Sequence, residues 1–343
     1  MTINICSMTL QDLTTEMQRR FGKGGFHARA LYKEYFRNGN TSLENISEFS
    51  GSPGLLPAIV SQISLPGFVI TKTEEHDVVK FATTFADGCT IESVIIPSAG
   101  KNRTTLCVSS QAGCKMNCAF CATGAKGFFR SLSAEEIVVQ VWAATFTLGH
   151  HIDNIVFMGM GEPLDNIRNV VQAIRVISDQ QGLNIPQRSI TLSTAGLADR
   201  ISELALYGIP QVKLALSLNA PTNELRDALM PINGTFPLEA IKESLREFPL
   251  GKRGIFFIEY VLLAGVNDSR QMAKDLADFL QGLPVRINLI PFNENPSSNF
   301  KSPDPENVRQ FASWLVERKL FVRIRKSHGS GISAACGQLS PGA

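Results

Sequence analysis

Six apolar, β-rich segments follow one another after Arg103: TTLCVSS (104–110), NIVFMGM (154–160), RSITLST (188–194), QVKLALSL (211–218), GIFFIEYVLL (254–263) and VRINLIPF (285–292), with FVRIR (321–325) behind them. The stretches between them carry helical periodicity. Strands alternating with helices in this way pair in parallel, and six in succession predict an α/β barrel or partial barrel. Local signals agree. Ser133 and Glu136 form a capping box before Ile137, Val138, Val141 and Trp142, which share one helical face. Asp268 stands where a cap is expected before Met272, Leu276 and Phe279, with Gly282 and Pro284 as the stop.

In barrels of parallel strands the reacting groups come from the loops at the carboxyl ends of strands. Here CKMNCAFC (114–121) follows the first strand, Gly161-Glu162-Pro163 the second, Ser193 ends the third, Ser217 and Asn219 end the fourth, and Asn293 follows the sixth. All are predicted to point into one mouth.

The segments upstream read differently. Residues 77–97 form two alternating runs joined at Asp87-Gly88, a hairpin signal, so the expected organisation is a helical accessory domain over 1–75, a linker β-hairpin over 76–102 and the barrel over 103–343. In the accessory region Arg19, Arg20, Lys23, Arg29, Lys33 and Arg37 interleave with Phe21, Phe26, Tyr32, Tyr35 and Phe36. Cations that neutralise phosphate beside rings that stack on bases describe an RNA-facing surface; a small helical domain with an aromatic core and a solvated basic face fits equally well. Arg318, Lys319, Arg323, Arg325 and Lys326 leave the same choice, between phosphate contacts at the mouth and the wet face of an edge strand.

The chain has 343 residues, 44% hydrophobic, with a formal charge of +2, which is ordinary globular composition and demands no nucleic-acid partner. No apolar run reaches the length of a membrane span, and the start has neither basic leader nor long apolar stretch, so the expected location is the cytosol. Of seven cysteines, Cys107, Cys114, Cys118 and Cys121 crowd into one short stretch. In a cytosolic chain that crowding points to metal ligation or thiol chemistry rather than a disulfide framework. Three cysteines at this spacing lack the fourth ligand of a closed zinc site, His150 and His151 lying beyond a whole helix. An iron–sulfur cubane held by three thiolates keeps one iron open for a small ligand.

Cys114-x3-Cys118-x2-Cys121, with Phe120 before the last cysteine, resembles the signature of radical S-adenosylmethionine enzymes, whose fold is a partial βα barrel. The resemblance implies a 4Fe-4S cluster whose open iron chelates the amino and carboxylate groups of S-adenosylmethionine and cleaves it to a 5′-deoxyadenosyl radical. LCVSSQAGCKMNCAFCATGAKGF, FMGMGEPLDN, LSTAG, LALSLN, LMPIN, GVND, NLIPFN and ISAACGQL narrow it. In order and together they are similar to the RlmN/Cfr family of radical S-adenosylmethionine RNA methyltransferases, and the fold that follows is a partial (β/α)6 barrel with a small helical accessory domain.

That family methylates an adenine ring carbon, carbon 2 in the main branch, in 23S rRNA and certain tRNAs, and carbon 8 in the other. By matching position, Cys336 would take a methyl from one S-adenosylmethionine, and a second, cleaved at the cluster, would yield the radical that removes hydrogen from the S-methyl group. The carbon would then add to the base. Cys107 would release the product through a transient disulfide with Cys336, and Glu92 would take the ring proton. Gly161, Glu162, Ser193, Ser217, Leu218, Asn219 and Asn293 fall on the cofactor positions. The implied partners are RNA and a small electron donor of the flavodoxin or ferredoxin class, acting on a monomer with no membrane attachment.

Independently of the resemblance, Gly329, Gly331 and Gly337 around Cys336 allow a mobile loop. Two departures from the family pattern stand out: Asn219, where the family has histidine, and His328-Gly329-Ser330-Gly331 before Cys336, with the SAGKN stretch (98–102) also slightly long. They leave open the same chemistry on carbon 8 or on another RNA, and the basic aromatic amino-terminal region leaves open a second reading, a zinc-stabilised RNA-binding protein without catalysis.

Overall fold

A computed structural model describes residues 2–98, 103–251 and 254–340, so most of SAGKN lies outside the described residues. Ten strands form one sheet whose spatial order follows the chain: β1 (Phe68–Glu75), β2 (Val78–Phe85), β3 (Thr90–Pro97), β4 (Thr104–Cys107), β5 (Asn154–Phe157), β6 (Ile190–Thr194), β7 (Lys213–Ser217), β8 (Phe256–Leu262), β9 (Val285–Pro291) and β10 (Val322–Ile324). From β1 to β4 neighbours are antiparallel, and from β4 to β10 they are parallel. The six expected barrel strands, β4 to β9, are all present, and FVRIR adds a seventh parallel strand at the edge, where Arg323 and Arg325 are exposed.

The expected hairpin is there, turning at Asp87-Gly88, but it has a third strand. β1 occupies the last eight residues of the stretch expected to be helical. FVITKTEE is rich in β-branched side chains yet mostly exposed, so it lacks the apolar alternation that marks a half-buried strand. Backbone pairing of β3 with β4 then fuses this antiparallel unit to the barrel sheet.

Helices cover the outer face. In α3 (Ala134–Trp142) the Ser133–Glu136 capping box forms in both directions, and Ile137, Val138 and Val141 are fully buried against the sheet. α4 (Ile167–Ile177) packs beside it, burying Val170, Val171, Ile174 and Ile177. α5 (Ala198–Leu204), α6 (Leu238–Glu247), α7 (Arg270–Leu280) and α8 (Pro305–Glu317) continue the layer. The cap of α7 is Ser269 rather than Asp268: Ser269 Oγ accepts from Met272 N at 3.2 Å, while Asp268 accepts from Gly265 N at 3.0 Å and from Asn307 Nδ2 at 2.6 Å, tying two loops together.

The amino-terminal helices α1 (Leu10–Phe21) and α2 (Gly25–Phe36) dock on α3 and α4. Tyr35 stacks on Trp142 with ring centroids 5.5 Å apart, and Trp142 Nε1 donates to the Tyr35 carbonyl at 3.1 Å. Leu10 N donates to Asp179 and Gln172 Nε2 to the Ser7 carbonyl. Tyr32, Tyr35 and Phe36 are therefore core, and Arg19 and Arg20 both pair with Glu16. Phe26 is exposed. Among the described residues no helix is long and apolar enough to cross a membrane.

Candidate active site

The cluster loop is framed by a short hairpin, Gln111–Gly113 paired with Phe128–Ser131. Cys114 N donates to the Gly127 carbonyl at 3.0 Å, which closes the neck of the loop, and Asn117 adopts a left-handed conformation (φ 48°) that turns the chain between Cys114 and Cys118. Asparagine tolerates that conformation better than most residues. Cys121 N then donates to the Cys118 carbonyl at 3.1 Å. All three thiols consequently line one cavity of about 240 Å³ at the carboxyl ends of the barrel strands.

Burial pushes the Cys114 thiol up to about 12 and Cys118 well above its ordinary value, and the cysteines raise one another. Such a set resists ionisation unless a cation is shared among its members, which is the condition an iron–sulfur cluster supplies. Three soft donors on one short loop with an open cavity before them fit a three-cysteine cubane. A structural zinc site would need a fourth protein ligand beside these three, whereas in a cubane each thiolate ligates its own iron and one iron stays open.

On the next strand end, Gly159 and Gly161 let the backbone pass close to β4. A Cβ at Gly159 would lie 2.7 Å from the Val108 carbonyl oxygen, and one at Gly161, where φ is +98°, would lie 2.5 Å from Gln111 Cβ. This close passage sinks Glu162, 3% exposed, into the cavity wall. Its carboxylate accepts from Leu164 N at 3.0 Å and Ala195 N at 2.7 Å, yet burial outweighs those bonds and pushes it up to about 7. Among the described residues no cation pairs with it, which leaves it suited to an amino group brought by a ligand.

Ser193, Ser217, Asn219 and Asn293 line the same cavity, with the Ser193 and Ser217 hydroxyls 3.2 Å apart. Asn219 is left-handed (φ 58°), its Oδ1 accepting from Val261 N at 2.9 Å, so it ends β7 and crosses to β8 in one residue. Leu218 does not face the cavity. It is fully buried, and its carbonyl accepts from Arg226 Nε at 3.2 Å.

The carboxyl-terminal segment closes the mouth. Asn293 Nδ2 donates to the Cys336 carbonyl at 3.1 Å, Ala122 N to the Gly337 carbonyl at 2.8 Å, and Thr123 Oγ1 to the Leu339 carbonyl at 2.6 Å. Farther out, Gly331 N donates to Glu75 at 3.3 Å. Cys336 and Cys107 both line the cavity. Cys336 is exposed, yet the surrounding protein, and after it the charge of Glu259, raises its thiol; Cys107 is raised by burial and then by Cys336. No disulfide joins any of the seven cysteines, the pair expected to bridge transiently included.

Glu92 is placed elsewhere. It does not line the cavity; Lys80 Nζ lies 2.9 Å from one carboxylate oxygen and Ser340 N donates to the other at 2.9 Å, so it anchors the end of the closing segment.

Two residues that sequence reasoning passed over belong to the site. Arg226, fully buried, donates to the carbonyls of Leu218 and Ala195 and to Asn233 Oδ1, binding together the loops after β6 and β7. Nothing local marks it. Glu259, 7% exposed, points inward from β8 with one oxygen accepting from Asn288 Nδ2 at 2.7 Å. Its signal was present, a lone carboxylate in the apolar run GIFFIEYVLL.

The radical SAM superfamily model matches residues 108–279. The chain is 40% identical over 338 residues to a probable dual-specificity RNA methyltransferase RlmN 1 of Protochlamydia amoebophila, covering 98% of this chain and 94% of that one. It is 42% identical over 335 residues to a dual-specificity RNA methyltransferase RlmN of Syntrophobacter fumaroxidans, covering 96% of each. A crystal structure of a radical SAM methyltransferase from Sphaerobacter thermophilus superposes with a TM-score of 0.90 at 35% identity, over 98% of this chain and 99% of that one.

Proposed function

Because the chain belongs to the RlmN family of radical SAM RNA methyltransferases, we propose that it methylates carbon 2 of an adenine in 23S rRNA and in tRNA, through a methyl carried on Cys336. One arrangement supports this above all: the three cluster cysteines, Cys107 and Cys336 line a single cavity. With S-adenosylmethionine, the cluster supplies one-electron cleavage of a carbon–sulfur bond and so the removal of hydrogen from an unactivated methyl group. Two molecules of S-adenosylmethionine serve each turnover, one as methyl donor.

Cys114, Cys118 and Cys121 hold the cluster. Glu162 meets the cofactor's amino group, and Ser193, Ser217, Asn219 and Asn293 hold its remaining polar atoms. Cys336 presents its sulfur to the base from the closing segment, and Cys107, beside it, attacks that sulfur to free the product. Glu92, fixed by Lys80 and Ser340 N, reaches the ring proton only when the closing segment moves. The protein acts as a monomer and draws electrons from a flavodoxin- or ferredoxin-class donor.

Reconstituted protein given a reductant, S-adenosylmethionine with a trideuterated methyl group, and unmodified rRNA or tRNA separately should yield 2-methyladenosine that keeps two of the three methyl deuteriums. A product keeping all three would exclude the Cys336 carrier. 8-Methyladenosine would move the target carbon, and cofactor cleavage without RNA methylation would leave the radical chemistry and overturn the substrate.

A further inference from the structure

The inward side chains of the central strands form a belt. Ser217 on β7 lies in register with Glu259 on β8, and Glu259 with Asn288 on β9. Neighbouring outward positions, Ile258, Tyr260 and Leu262, are fully buried under the helices, so Glu259 is the one ionisable group that β8 turns into the barrel. A carboxylate in that position is expected to be paired or hydrogen-bonded at both oxygens. Among the described residues only one oxygen has a hydrogen-bond partner, the Asn288 amide, and Glu259 lines the cavity that Cys336 also lines.

Glu259 has no part in the reaction proposed above. Glu162 is the carboxylate for the cofactor's amino group, and Glu92 lies outside the cavity lining with both oxygens occupied. Yet the methyl carrier needs a proton acceptor. A thiol is a poor nucleophile and its thiolate a good one, so the Cys336 proton must leave as the sulfur takes the methyl group. The charged and titratable groups facing Cys336 are Glu259 from β8, Arg325 from the end of β10, Cys121 from the cluster loop and Cys107 from β4. Arg325 cannot accept a proton, and Cys121 and Cys107 are thiols. Lys326 and His328 line the cavity from the exposed rim.

We propose that Glu259 is a catalytic residue of the first half-reaction, the carboxylate oxygen not bound by Asn288 taking the proton of the Cys336 thiol as that sulfur is methylated. The Cys336 electron pair forms the bond to the methyl carbon. The sulfonium–methyl bond of S-adenosylmethionine breaks and leaves its pair on the departing thioether, and the proton stays on Glu259 until the cavity opens to water. Burial raises Glu259, which makes it a better acceptor than an ordinary carboxylate, and Asn288 orients it. The inference rests on the Cys336 carrier proposed above.

The test uses cluster-loaded Glu259→Gln protein without reductant, so that only the first half-reaction runs, and follows methylated Cys336 by peptide mass spectrometry. In parallel, iodoacetamide labelling of Cys336 across pH reports its acidity, and equilibrium dialysis reports S-adenosylmethionine binding. Removing the carboxylate's charge should move the Cys336 labelling midpoint down by on the order of one pH unit, making the thiol more acidic. Methylation should nevertheless slow by about 100-fold or more, the scale of a lost general base. A merely structural residue would not make Cys336 more acidic and less methylated together. Glu259→Asp, which keeps the acceptor, should recover much of the rate and guards against a folding defect in the amide variant.

Wild-type methylation of Cys336 with an equal rate in Glu259→Gln would overturn the inference and leave the carrier standing. Absence of methylated Cys336 in the wild type would remove both. Lost cofactor binding in Glu259→Gln, with the rate restored at saturating S-adenosylmethionine, would make Glu259 a cofactor ligand instead.

Discussion

Asn293 donates its side-chain amide to the backbone carbonyl of Cys336 at 3.1 Å, so a residue just past β9 holds the Cys336 segment by its main chain and leaves the thiol unencumbered. Replacement by Ala would remove that tether without touching the sulfur. In Asn293→Ala, Cys336 should be labelled by iodoacetamide severalfold faster in the cluster-loaded protein, while iron and sulfide contents stay at wild-type levels. Unchanged labelling would mean that Ala122 N and Thr123 suffice to hold the segment.

Cys118→Ala should abolish RNA methylation and lower bound iron and sulfide to near zero, because two thiolates cannot retain a cubane. Circular dichroism should be close to wild type, since the loop is held by main-chain bonds from Cys114 and Cys121. A variant that kept its iron would remove Cys118 from the ligand set.

Glu162 gives stability a pH dependence. Burial raises its native value to about 7 against 4.5 for the free group, so the folded state keeps a proton that the unfolded chain releases. Its contribution is fully present below about pH 4.5 and declines as pH rises to about 7, by on the order of 3 kcal/mol in all. Melting temperatures of the apoprotein across that window should fall more steeply in wild type than in Glu162→Gln. Equal slopes would place the titration elsewhere. Glu162→Gln should also weaken S-adenosylmethionine binding.

Arg226→Met would strand the Ala195 carbonyl and the Asn233 amide oxygen in the interior, while the Leu218 carbonyl keeps the Ala220 N–H at 2.7 Å. Each unsatisfied buried acceptor costs roughly 1–3 kcal/mol, so the loss should reach about 3 kcal/mol or more, seen as a lower urea midpoint with the slope unchanged. Arg226→Lys should recover little, as one ammonium cannot span three acceptors on two loops. A variant as stable as wild type would show that water replaces the guanidinium.

The barrel was legible because its strands are short, largely apolar runs and its helices are apolar on one face; both patterns survive without tertiary information. β1 was not, since its exposed FVITKTEE depends on pairing with β2 rather than on burial. The aromatic cluster at 19–37 allowed two readings by composition, and packing against Trp142 decided Tyr35 for the core. Cys114, Cys118 and Cys121 were legible by spacing. Arg226 was not, because its three acceptors come from residues 195, 218 and 233, which only the folded chain assembles. Glu92 reads as a solitary carboxylate in sequence, and only the fold shows that Lys80 and Ser340 occupy it.

The unbroken ladder from β1 to β10 has a mechanical consequence. A hinge requires a seam where few bonds cross, and every seam along this sheet is crossed by backbone hydrogen bonds, while the amino-terminal helices are bolted to α3 and α4 by Trp142, Gln172 and Asp179. The enzyme therefore meets its RNA as a stiff template rather than a closing jaw. In the reaction proposed above, the work of bringing an adenine to the Cys336 sulfur would fall on the nucleic acid, which must unstack its base, and on the short carboxyl-terminal strap.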